Sequence, residues 1–134
     1  MYLPVQDYAA LGDFRYAVRK FLRFSKEFLA RVKLTPEQYE ALLAIKTRSG
    51  SKGITVGELS ERLQVKHHTA VSLLDKLMAR RLVTRRRALK DRRHVSVNLT
   101  KLGSSILEQV AGVHRQEMRH RSSEMIDALK RLQK

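Results

Sequence analysis

Apolar residues recur along this chain with two different periods, and the switch between them marks out its elements. From about residue 8 to 31, Phe14, Val18, Phe21, Phe28 and Val32 follow a helical spacing with Leu22 and Leu29 beside them, which predicts one long amphipathic helix. Thr35-Pro36-Glu37-Gln38 then reads as a helix start. The threonine caps, the proline sits where its missing N–H costs nothing, and the glutamine closes a capping box, with Leu34 and Tyr39 as a hydrophobic staple. Thr55-Val56-Gly57-Glu58 repeats that grammar with Ile54 and Leu59 as the staple, and Arg48 to Gly53 between the two is a loop by composition. A third helix is predicted from about His67 to Arg80, with Ala70, Leu73, Leu74 and Leu77 inward and His67, His68, Thr69, Ser72 and Lys76 outward. Only Gln64, Val65 and Lys66 separate it from the helix before, the short turn of a helix-turn-helix.

The period then changes. His94 to Leu99 alternates polar and apolar strictly, as a half-buried strand does, and Val83 opens a shorter apolar start on the other side of a basic run, so a β-hairpin wing is predicted over about 83–99. Thr100 can cap a further helix carrying Leu102, Ile106, Val110 and Val113; Met118, Met125, Leu129 and Leu132 follow in a shifted register, which predicts a break between residues 114 and 123. The fold class expected is mainly α with a small β-hairpin wing (α+β). A winged helix-turn-helix over 35–100 is flanked by an N-terminal helix in 1–34 and C-terminal helices in 101–134, in a single compact domain per chain. The terminal stripes are too long for the central module to bury, so they are expected to pair two chains in a two-fold dimer.

Composition changes the picture through charge. The chain has 134 residues, with 28 Lys and Arg against 13 Asp and Glu, a formal charge of +15 and a pI near 10.8. With 43% hydrophobic residues it can bury a core, so the charge belongs on a folded surface. Such an excess suits a polyanion, either nucleic acid or an anionic membrane. Residues 80–100 hold a net +7 of it, on the predicted hairpin directly after the helix-turn-helix, which favours DNA over membrane. Small polar side chains at the start of the third helix can reach base edges in a major groove.

Other chemistry is thin. No cysteine is present, which removes disulfides, thiolate catalysis and Cys-based zinc sites. No apolar run approaches the ~18 residues of a membrane span, so a cytoplasmic protein associated with prokaryotic nucleoid DNA is expected. No nucleophile and base, glycine-rich phosphate loop or carboxylate pair stands out, so neither an enzyme nor a cofactor is expected. His67 and His68 point some 100° apart on a helix and make a poor chelate, and His114, Glu117 and His120 lack a third firm ligand, so no metal is expected.

The order helix, turn, helix and basic hairpin resembles the MarR family of winged helix-turn-helix regulators. The resemblance is carried by Thr55-Val-Gly-Glu-Leu-Ser-Glu-Arg-Leu63, by Leu74-Asp-Lys-Leu77 followed by Leu82-Val83, and by the wing signature Asp91, Arg93, Leu99, Thr100 with Gly103 after it. It implies a homodimeric transcription regulator, usually a repressor, on a pseudo-palindromic double-stranded DNA operator that a small aromatic or anionic effector releases. By the resemblance, Lys66, His67, His68, Thr69, Ser72 and Lys76 belong to the recognition helix. Arg85, Arg86, Arg87, Lys90, Arg92 and Arg93 belong to the wing, with Arg93 at the minor groove and Asp91 steadying the wing by pairing with Arg85 or a neighbour. Phe14, Tyr39 and His114 are placed for an effector cleft, although on the residues alone the two aromatics read first as core. The chain departs from the pattern at Ser72, where many members have arginine, at Arg81, where a glycine often closes the recognition helix, and in its short C-terminal region.

Two readings of another class stay open. A nonspecific architectural or RNA-binding basic protein could use the same fold, although the wing strands lack the exposed aromatics of a single-strand RNA binder. A protein-interaction module that has lost DNA binding is the other, and eight basic residues at the wing speak against it.

Overall fold

The two capping boxes form as their spacing requires in a computed structural model that describes residues 2–48, 53–87 and 95–133. At the first, the Gln38 backbone N–H donates to Thr35 Oγ1 and the Thr35 N–H donates to Gln38 Oε1, both at 3.1 Å. At the second, Thr55 and Glu58 make the same exchange. The staple residues Leu34, Tyr39, Ile54 and Leu59 are all buried. From these starts run α2 (Pro36–Arg48) and α3 (Val56–Leu63), following α1 (Val5–Arg31) and preceding α4 (His67–Ala79). The turn between α3 and α4 works through Gln64, whose left-handed backbone (φ 55°) lets the Val65 N–H return to the Ser60 carbonyl at 3.0 Å.

The sheet has three strands, one more than the expected hairpin. After β1 (Ile54–Thr55) come β2 (Val83–Arg87) and β3 (Val95–Leu99), in the order β1-β3-β2, all antiparallel. β1 is two residues long and lies inside the approach to α3, so it has no alternation of its own to betray it. Its pairing of Ile54 with Val97 closes the core, where both side chains are fully buried.

α5 (Lys101–Leu132) is one unbroken helix of 32 residues, which corrects the expected break at 114–123. The stripe does not slip. It runs through residues 103, 107, 110, 114, 117, 121, 125 and 128, all buried or half-buried, and its middle members are His114, Glu117 and Arg121, invisible to a search for apolar residues. Glu117 and Arg121 occupy that face as an ion pair, so neither charge is carried alone.

The chain divides into two compact units, residues 1–32 with 111–134 and residues 33–110. In the first, the contacts Asp13–Arg131, Lys20–Glu124 and Ser25–His114 run in opposite senses along the two segments, so α1 and the end of α5 are antiparallel. In the second, Leu42, Ile45, Ile54, Leu59, Leu74, Leu77, Leu82 and Val97 make the core on which α4 and the wing rest.

One junction sets the geometry of that second unit. α4 ends at Ala79 and the chain turns through Arg81 in the left-handed region (φ 60°), so arginine does the turning that the resemblance assigns to glycine and the helix is not lengthened. The Thr100 N–H donates to the Leu82 carbonyl at 3.0 Å, its hydroxyl donates to the Arg81 carbonyl at 2.7 Å, and the Gly103 N–H donates to that same hydroxyl at 2.9 Å. A Cβ at Gly103 would stand 2.0 Å from the Leu82 carbonyl oxygen. Gly103→Ala should therefore lower stability by about 3 kcal/mol, the upper end of overpacking costs, because backbone meets backbone and no side chain can give way. Gly12→Ala, exposed on α1 with nothing near its Cβ, should raise stability by about 0.5–1 kcal/mol. Urea midpoints at unchanged m-values would check the opposite signs.

Candidate nucleic-acid interface

α4 is amphipathic in the sense the sequence requires. Ala70, Leu73, Leu74 and Leu77 are buried, while His67, His68, Ser72, Asp75 and Lys76 are exposed and Thr69 is half-buried. His68, Ser72, Asp75 and Lys76 lie on one outward stripe by their spacing of three and four. Lys66 occupies the N-cap without a side-chain hydrogen bond, and the first turn holds no acid. α2 and α3 differ on both points, since each is boxed by threonine and carries a glutamate in its first turn. The positive end of the α4 dipole is thus left open beside a lysine and two histidines.

The wing's register sorts its arginines. Residues opposite one another on antiparallel strands share a face. Arg85 faces Val97 and Val83 faces Leu99, so Arg85 belongs to the side of the sheet that covers the core; Arg86 pairs with Ser96 and belongs to the outer side. The consequence is visible in their contacts. Both arginines are exposed, and the Arg85 guanidinium donates to Asp75 on α4 at 2.9 Å. A run of three arginines gives no sequence signal of this difference, which appears only when the alternation is counted from Val83. Arg87 lies at the end of β2. Lys90, Asp91, Arg92 and Arg93 fall outside the described residues, and the expected pairing of Asp91 falls there with them; the acid that Arg85 does meet is Asp75. Asp75 was legible only as a letter of the resemblance, although an acid on the outward stripe of a helix in so basic a chain is itself a signal.

The three residues placed for an effector cleft belong to different surroundings. Tyr39 is buried in the unit of residues 33–110, where burial pushes its phenol up from the usual value and keeps it protonated. Phe14 is half-buried in the other unit and lines an open groove of about 310 Å³ with Arg15, Val18, Arg19 and Leu22. His114 is buried in the same unit as Phe14. Its Nε2 lies 2.8 Å from Ser25 Oγ, and Phe21, Phe24 and Phe28 meet its ring edge-on with centroids 5.7–6.1 Å away. Among the described residues no group of three or more His, Cys, Asp or Glu could hold a metal ion, and no helix is long and apolar enough to cross a membrane.

Helix, three-residue turn, helix and antiparallel wing, with an outward face of lysine, histidine and arginine, define a winged helix-turn-helix DNA-binding protein. Residues 32–94 match the model of the MarR family. Solved structures agree along most of the chain. A mutant MarR from E. coli is 26% identical, with a TM-score of 0.71 over 89% of this chain and 82% of that one. A MarR family protein from Bacillus stearothermophilus is 25% identical, with a TM-score of 0.76 over 89% and 81%. A mutant MepR from S. aureus bound to an oligodeoxyribonucleotide is 22% identical, with a TM-score of 0.71 over 87% and 82%, a likeness of fold. None of the curated proteins matches the chain in sequence. Residues 32–94 are thus similar to the MarR family of transcription regulators, and the fold with this likeness supports a DNA-binding transcriptional regulator.

The Ser25–His114 contact belongs to the unit that holds neither α4 nor the wing, and it should act on stability alone. Ser25→Ala is expected to cost about 1–3 kcal/mol, the penalty for a buried polar group that loses a partner. Urea unfolding checks the loss, and DNA affinity measured on the folded variant should stay about equal to that of the parent.

Proposed function

We propose that the protein is a homodimeric repressor that recognises a pseudo-palindromic operator, α4 reading each half-site in the major groove and the wing holding the flanking backbone. The observation that carries this reading is the open, acid-free N-terminus of α4 presented with Lys66, His67 and His68, while α2 and α3 of the same unit are closed by capping boxes. MepR, similar in fold, has been solved with an oligodeoxyribonucleotide, which supports the same use here. His67, His68, Thr69 and Ser72 would discriminate bases. Lys76, Arg86, Arg87 and the wing residues Lys90, Arg92 and Arg93 would meet phosphates or the minor groove, with Asp91 steadying the wing.

Dimerisation is supported by the apolar side chains that α1 and α5 leave exposed, among them Leu11, Leu22, Met118, Ile126 and Leu129. A second copy would cover them and present two α4 helices about 34 Å apart, one turn of the duplex. An effector would act by favouring a different separation. The groove floored by Phe14, Val18 and Leu22 between Arg15 and Arg19 suits a small aromatic anion for that role.

Selection from a random duplex pool at two salt concentrations tests the reading: a two-fold symmetric motif supports it, and salt-sensitive binding without a motif would make the protein a coating protein instead. With the selected duplex, Arg86→Ala should weaken binding to all sequences alike and reduce the log–log salt slope by about 0.9. His68→Ala should instead cost about 1–3 kcal/mol of discrimination at one position of each half-site. Anisotropy titrations on matched and scrambled duplexes separate the two.

A further inference from the structure

Asp75 is an anomaly. The chain carries +15, and yet this carboxylate sits on the outward stripe of α4 between Ser72 and Lys76, where an approaching phosphate backbone would meet it. Its one ion-pair partner among the described residues is Arg85, 2.9 Å away on β2. That is also the only ion pair between α4 and the wing among those residues. The strand register turns Arg85 toward the core side of the sheet, from which its guanidinium, still partly in solvent, reaches α4. The pair is half in water, with side-chain exposures of 31% for Arg85 and 60% for Asp75. Contacts of that kind contribute little to stability, so this one has to be explained by geometry.

We propose that Asp75 is a positioning residue that sets DNA specificity: it fastens the wing to the recognition helix through Arg85 and withholds that guanidinium from the phosphate backbone. The inference rests on the reading that α4 and the wing meet the duplex together. Two contributions follow from one carboxylate. Holding Arg85 fixes the distance between the base-reading side chains and the outward Arg86, so a duplex is gripped fully only when its bases also fit. Occupying Arg85 removes one sequence-blind phosphate contact, and the negative charge of Asp75 itself opposes loose association with any DNA. Affinity for random sequence is held down so that discrimination can be high.

The test compares the parent chain with Asp75→Asn, Asp75→Glu and Arg85→Gln, each confirmed as folded by circular dichroism. Anisotropy titrations use the duplex selected by the parent and a scrambled duplex of equal length, across a salt series. Asp75→Asn should bind the scrambled duplex several-fold more tightly at low salt, with a slope steeper by about 0.9 for the released guanidinium. Its ratio of selected to scrambled affinity should fall roughly fivefold, within the range for coupled neighbouring residues. Arg85→Gln should lose the same discrimination without the steeper slope, and Asp75→Glu, which can still reach Arg85, should behave as the parent. A merely structural role would weaken both duplexes together, and that result, or an unchanged slope and ratio in Asp75→Asn, overturns the proposal. A parent that binds no duplex, or binds both equally, defeats the functional reading itself and the proposal with it.

Discussion

The shape of the DNA-binding unit depends on a contact in which no side chain takes part. Gly103 brings the first turn of α5 against the Leu82 carbonyl, closer than any Cβ would permit. Thr100, at the approach to that turn, ties the same spot to the Arg81 and Leu82 carbonyls and to the Gly103 amide. Within a few residues the end of α4, the start of β2, the end of β3 and the start of α5 are joined by backbone groups and one hydroxyl. Hydrophobic contacts are non-directional and tolerate sliding; hydrogen bonds of 2.7–3.0 Å to fixed carbonyls do not. The wing therefore leaves the core at a defined angle to α4 before any arginine has found a partner, and the bond between Arg85 and Asp75 trims an arrangement the backbone has already set.

Charge is distributed with the same economy. In the unit formed by α1 and the later part of α5, Asp13, Glu27, Glu117, Glu124 and Asp127 each meet an arginine or lysine of that unit. Those five acids are neutralised locally. Around α4 and β2 the exposed charges are lysine and arginine, with Asp75 alone among the acids of α4 and bound to Arg85. The net +15 is thus not a uniform coat: its least compensated part lies around α4 and β2.

What could be read in the sequence follows from how local each signal is. The starts of α2 and α3 were legible because a capping box is written in four consecutive residues, and α4 because Ala70, Leu73, Leu74 and Leu77 carry its period without interruption. β1 was not, since two residues cannot display an alternation and Ile54 already had a use as a staple. The continuity of α5 was hidden by its buried polar members, because His114, Glu117 and Arg121 fill packing positions that a hydrophobicity count assigns to solvent. In the site, the recognition-helix face was legible from spacing alone, whereas Arg85 and Arg86 looked equivalent until the partner strand showed which of them turns inward.

The missing cap on α4 has a consequence for motion. A helix whose first amides find no side-chain acceptor frays at that end, and its opening turn is held mainly by the i→i+3 and i→i+4 bonds of Thr69 and Ala70 to the Lys66 carbonyl, at 3.0 and 3.1 Å. A phosphate arriving there would supply the acceptor that threonine supplies to α2 and α3. An anion bound there only in the folded state would stabilise the unit by mass action.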